Sequence, residues 1–121
     1  MMTSAAFTGR LALQQRVLPT YRVPFFSELA VRCEGGLHVF AGQPRPKEGV
    51  VPANAIPGAQ LTLSHNQHLF SGPLFLCRQP AFLGWLQRLV PDALVVEANP
   101  RYLSTPRAIA WMREAGRPVL G

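Results

Sequence analysis

Residues 93–98, Ala93-Leu94-Val95-Val96-Glu97-Ala98, form a near-continuous apolar run between a Pro91-Asp92 break and the polar stretch from Asn99 to Leu103. A run of this kind reads as a strand buried on both faces of a parallel sheet, because helices cover such a sheet. Its flanks agree. Upstream, Phe82, Trp85, Leu86 and Leu89 recur at i, i+3, i+4 and i+7, which predicts a helix over 80–90. Downstream, Ser104 or Thr105 can cap a helix, Pro106 suits its first turn, and Ala108, Trp111, Met112 and Ala115 make its inner stripe. Gly116 ends that helix, and Pro118-Val119-Leu120 begins another strand.

The first half repeats the alternation. Leu11-Ala12-Leu13 starts a strand that turns polar at Gln14-Gln15-Arg16, so its carboxyl end is placed near Gln15 and Arg16 to Arg22 are given to a loop. Pro24 opens a helix whose buried face is Phe26, Leu29, Ala30 and Cys33, and Gly35-Gly36 stops it. Leu37 to Ala41 is a short strand. Pro44, Pro46, Pro52, Pro57 and Gly58 then punctuate an irregular loop. Gln60 to Leu63 reads as a short strand, and Leu74 to Cys77 as either a strand or the approach to a helix. Strands alternating with helices predict an α/β fold, a Rossmann-like doubly wound parallel sheet in three α/β/α layers, with residues 1–121 as one domain.

Composition narrows the function classes. Hydrophobic residues make up 48% of the chain, enough for a core, while charged residues are only 15%, below the usual quarter or so. The shortfall fits a surface partly covered by a further domain, a partner chain or a peripheral seat on a membrane. Net charge is +6, and Lys47 is the only lysine among twelve basic residues. Scattered arginines fit either a compositional bias or an anionic partner. Cys33 and Cys77 sit in apolar runs and read as core, not as a disulfide framework. No signal peptide and no membrane span is expected, which points to the cytoplasm.

Ligands of such sheets bind outside the carboxyl ends of the strands. The loops expected there are Arg16 to Arg22, Gly42 to Lys47 and Asn99 to Ser104. They supply the candidate binding residues Arg16, Tyr21, Arg22, Arg45, Asn99, Arg101 and Tyr102. No catalytic residue is assigned. Glu97 reads either as a base at that rim or as an edge or salt-bridged residue. His65 and His68 read as a solvent-facing loop pair, too few ligands for a metal, so none is expected. Trp85 and Trp111 read as core.

Three stretches resemble the amino-terminal domain of bacterial family 4 glycosyltransferases, which adopt the two-domain GT-B fold. Arg16-Val17-Leu18-Pro19-Thr20-Tyr21-Arg22-Val23-Pro24-Phe25-Phe26 is similar to the first loop and helix of a subgroup carrying a YRxPFF signature. Residues 91–100 resemble a PDVV-type strand, and residues 117–121 the xPVxx strand after it. The resemblance implies transfer of a sugar from a nucleotide-sugar donor to a glycan or lipid-linked acceptor. It also implies that this domain holds the acceptor, while an absent carboxyl-terminal domain or partner chain holds the nucleotide. A single such domain is expected to be inactive alone. Leu18 to Arg22 stand where the commoner pattern has a glycine-rich loop; Arg22, beside a helix amino terminus, can still meet a phosphate.

Rival readings fail on specific residues. A receiver domain needs acidic residues after the first strand, and residues 14–22 have none. A dinucleotide domain needs G-x-G-x-x-G there, which is absent, so no cofactor is expected. The alternative function is a basic nucleic-acid-binding module or a non-catalytic interaction domain. No basic face with interleaved aromatics is visible, so nucleic acid is not expected as a partner.

Overall fold

The computed structural model describes residues 6–45, 48–70 and 75–121. The elements in chain order are β1 (Leu11–Val17), α1 (Val23–Val31), β2 (Leu37–Gly42), β3 (Gln60–Ser64), β4 (Gln67–Leu69), β5 (Leu76–Arg78), α2 (Phe82–Leu89), β6 (Ala93–Val95), α3 (Thr105–Glu114) and β7 (Val119–Leu120). Five strands form a parallel sheet in the order β3-β2-β1-β6-β7. The fold is therefore α/β with a parallel sheet flanked by helices, an arrangement compatible with a Rossmann-like fold.

Strand pleating divides the core. Leu11, Leu13, Val39 and Ala41 pack with Phe26 and Ala30 of α1 and with Ala53 and Ile56 from the irregular β2–β3 connection. The alternate positions Ala12, Phe40 and Leu94 pack with Phe82, Trp85 and Leu86 of α2 and Ala108 and Met112 of α3. Phe40 lies 5.3 Å from the rings of both Phe82 and Trp85. The tryptophans are thus packing residues, Trp85 buried and Trp111 half-buried. Cys33 and Cys77 are buried and free, and burial pushes both thiols up.

Several boundaries differ from the sequence reading, each for a physical reason. The first strand does not stop near Gln15. It runs to Val17, because Gln14 and Gln15 stay buried at 1% and 7% exposure with their amides bonded inside the protein. Thr20–Arg22, expected as open loop, make one turn of 3-10 helix leading into α1. The strand placed over 93–98 is paired as β6 only to Val95, although the Val96 N–H still donates to the Leu120 carbonyl at 2.8 Å.

Neither Ser104 nor Thr105 caps α3 through its side chain. The Ser104 hydroxyl instead accepts from the Gln79 N–H at 2.9 Å and donates to the Gln79 carbonyl at 3.1 Å. Residues 76–78 are a strand, but an antiparallel one, paired with β4 in a two-stranded ribbon that periodicity did not reveal. Leu74, Pro46 and Lys47 lie outside the described residues. His68 does not sit in a solvent-facing loop with His65: it belongs to β4, opposite Cys77, and is half-buried.

Candidate functional site at the carboxyl rim

The central strand carries an irregularity that shapes the rim. Gln15 pairs with Ala41 and Val17 with Gly42, so Arg16 is the extra residue of a bulge. A bulged residue loses its ladder partners and turns its side chain aside. Here the Arg16 N–H donates to Glu97 Oε1 at 2.5 Å, and its carbonyl accepts from Asn66 Nδ2 at 2.8 Å. Gly42 permits this arrangement: a Cβ there would fall 1.8 Å from Asn66 Oδ1.

Beneath the rim lies a chain of buried amides. Gln14 Nε2 donates to Gln79 Oε1 at 2.7 Å. Gln79 Nε2 donates to the Gln15 carbonyl and to Asn66 Oδ1, both at 3.0 Å. Gln14 Oε1 accepts from the Glu97 N–H at 3.1 Å, and Gln15 Oε1 accepts from Arg22 Nη1 at 2.6 Å. Two adjacent glutamines of β1 therefore hold the Glu97 backbone on one side and the Arg22 guanidinium on the other. No buried side-chain nitrogen or oxygen among the described residues lacks a partner, as a low-dielectric interior demands.

Above this floor is a cleft of about 160 Å³ lined by Arg16, Val17, Pro19, Tyr21, Arg22, Val50, Glu97 and Tyr102. Four of the seven residues singled out in the sequence, Arg16, Tyr21, Arg22 and Tyr102, meet there. The other three do not line it. Arg45 and Arg101 place their guanidinium groups 5.3 and 5.2 Å from the Phe75 ring. Asn99 works locally: its Oδ1 accepts from the Arg101 N–H at 2.9 Å, a turn that steers Tyr102 toward the cleft. Tyr102 is also tied to β5, since the Arg101 carbonyl accepts from the Cys77 N–H and the Leu103 N–H donates to the Cys77 carbonyl.

The charges are specifically arranged. Arg16 grips Glu48 through two nitrogens, at 2.5 and 3.1 Å, and both side chains are mostly withdrawn from water, at 17% and 14% exposure. The hydrogen bond from Arg16 holds the Glu48 carboxyl at about 2 and raises Arg16 in return. His68 Nε2 lies 3.2 Å from Arg16 Nη1. A guanidinium has only donors, so Nε2 accepts and the ring is neutral. Burial first, then Arg45 and Arg16, lower the His68 pKa. Burial, then Glu97, raise the Tyr102 phenol, which keeps its proton as a donor.

Glu97 is not in a salt bridge with any arginine, and Arg22 has no carboxylate within ion-pair distance among the described residues. Sequence reasoning missed Gln14, Gln15, Glu48, Asn66 and Gln79. The available signal was two amides interrupting an apolar strand, since a polar side chain in such a place must find partners. Among the described residues no three His, Cys, Asp or Glu gather as a metal site, and no helix is long and apolar enough to cross a membrane. No family model matches the chain, and no curated protein or solved structure matches it.

Proposed function

We propose that this domain is the acceptor-side half of a GT-B sugar transferase, a three-layer Rossmann-like lobe whose rim cleft receives hydroxyl groups of a glycan or lipid-linked acceptor. The observation that carries the reading is the balance of groups in that cleft. Arg22 and the Tyr21 and Tyr102 hydroxyls donate, Glu97 accepts, and the remaining cation, Arg16, is paired with Glu48, a carboxylate that Arg45 also contacts. Such a lining suits a neutral polyol, whose hydroxyls both give and take hydrogen bonds, better than a polyphosphate. At about 160 Å³ the cleft is below the roughly 300–1,000 Å³ of pockets that swallow a drug-sized ligand, so it suits one ring of a larger acceptor. Tyr21, 75% exposed at its mouth, offers a face for a sugar to stack on. The nucleotide-sugar donor belongs on an opposing lobe, because leaving-group stabilisation and exclusion of water need an enclosed site.

Titration with a panel of mono- and disaccharides, followed by amide chemical shifts, tests this. Saturable shifts at Arg22, Glu97 and Tyr102 are expected for at least one sugar, lost in Arg22→Ala and in Glu97→Gln. Shifts at these residues with a nucleoside diphosphate and with no saccharide would overturn the reading.

A further inference from the structure

A second and larger hollow lies on the other side of residues 102–104. Tyr102 lines the rim cleft, while Leu103 lines a groove of about 640 Å³ between the first turns of α2 and α3, bounded above by Leu69 of β4. That volume falls within the range of small-molecule sites. Beside neutral polar groups from Gln79, Gln87 and Ser104, its walls carry two features that select a ligand. Leu69, Leu83 and Leu103 present apolar surface, with Leu69 and Leu103 left 42% and 41% exposed. Arg78 and Arg107 supply two exposed guanidinium groups.

The charge count decides what these walls fit. All six acidic residues of the chain are among the described ones, and none forms an ion pair with Arg78 or Arg107. Neither α2 nor α3 has an acidic residue in its first turn. The groove thus holds two uncompensated positive charges beside a strip of leucine. A phosphate monoester carries about −1.5 to −2 charges near neutral pH and three acceptor oxygens, which two arginine forks match. A carboxylate would neutralise only one of them.

We infer that the α2–α3 groove binds the phosphate monoester of a long-chain alcohol, with Arg78 and Arg107 holding the head and Leu69, Leu83 and Leu103 covering the chain. This site is independent of the sugar reading of the rim cleft, because no side chain is shared between the two linings.

Calorimetric titration with dodecyl phosphate below its micelle threshold tests the inference. One equivalent binding at micromolar concentration is expected, weakened about tenfold by Arg78→Ala or Arg107→Ala and several-fold by Leu83→Ala. Arg88→Ala, which changes an exposed arginine of α2 outside the groove, should leave binding intact. Both groove arginines are exposed, so unchanged thermal melts are expected to accompany the loss. Equal affinity for inorganic phosphate or for dodecanol would overturn the inference. So would indifference to both arginine substitutions, or binding confined to phosphatidic acid vesicles with none to monomeric dodecyl phosphate.

Discussion

Leu13 and Gln14 are neighbours on the central strand and equally withdrawn from solvent, at 3% and 1% exposure, yet they hold the protein in different ways. The amino-terminal half of β1, Leu11 to Leu13, is packed: its side chains touch Val39, Ala93, Phe40 and Leu94, and any apolar residue of similar volume would serve. The carboxyl-terminal half, Gln14 to Arg16, is bonded: its polar groups are held by Gln79 just after β5, Glu97 just beyond β6, Arg22 ahead of α1, Asn66 between β3 and β4, and Glu48 in the β2–β3 connection. Apolar packing tolerates substitution, whereas a buried amide chain fails once one member is removed. The rim is therefore the end of the sheet whose geometry is fixed to within a hydrogen bond.

The largest effect should fall on that bonded end. Replacing Gln79 by Leu keeps the volume but strands Gln14 Nε2 and Asn66 Oδ1 without partners. At 1–3 kcal/mol for each buried unsatisfied group, a loss of about 4 kcal/mol is expected in urea unfolding. Leu94→Ala, at the packed end, should cost about 3 kcal/mol through lost burial and a cavity. A smaller loss for Gln79→Leu than for Leu94→Ala would break the contrast, since it would mean that the amides merely fill space.

Next comes the ion pair that closes the bulge. Glu48→Gln leaves Arg16 without its countercharge and should cost about 2 kcal/mol at neutral pH, a figure reduced by the partial exposure of both side chains. Acid separates this from simple packing. The folded carboxyl titrates at about 2 against an ordinary 4.5, so the unfolded chain takes up the proton first as pH falls. Stability from this group is complete above 4.5 and drains away toward 2. His68, lowered below 6.5, acts in the same direction at milder acidity, because its unfolded ring protonates first. Parallel stability-versus-pH curves for Glu48→Gln and the unaltered protein between pH 5 and 2 would contradict this assignment.

The same division explains what could be read from the sequence. Apolar periodicity located β1, β2, β6 and all three helices, since burial of Phe26, Phe82, Trp85 and Met112 leaves a regular trace. The rim was legible only as a gathering of polar loops. Arg16, Tyr21, Arg22 and Tyr102 converge on it, but Gln79 lies 65 residues from Gln14, and no local pattern announces a hydrogen bond across that distance. The β4–β5 ribbon was hidden for a related reason. Gln67-His68-Leu69 has too few apolar residues to show a period, and is held by its neighbours instead.

Ser104 offers the smallest and most selective test. Its position before Thr105 and Pro106 reads as a helix cap, and removing a cap costs about 1 kcal/mol. Removing the hydroxyl that bridges the Gln79 N–H and carbonyl costs about the same, so the magnitude of Ser104→Ala cannot discriminate. Location can. A cap lost from α3 would speed hydrogen exchange in its first turn, at Arg107 and Ala108. A lost anchor on the bonded end would speed exchange of the Gln79 amide and, through Gln79, loosen Gln14 and Asn66, while the first turn of α3 keeps its protection. The second pattern is expected, because the Ser104 side chain makes no bond to the helix it precedes.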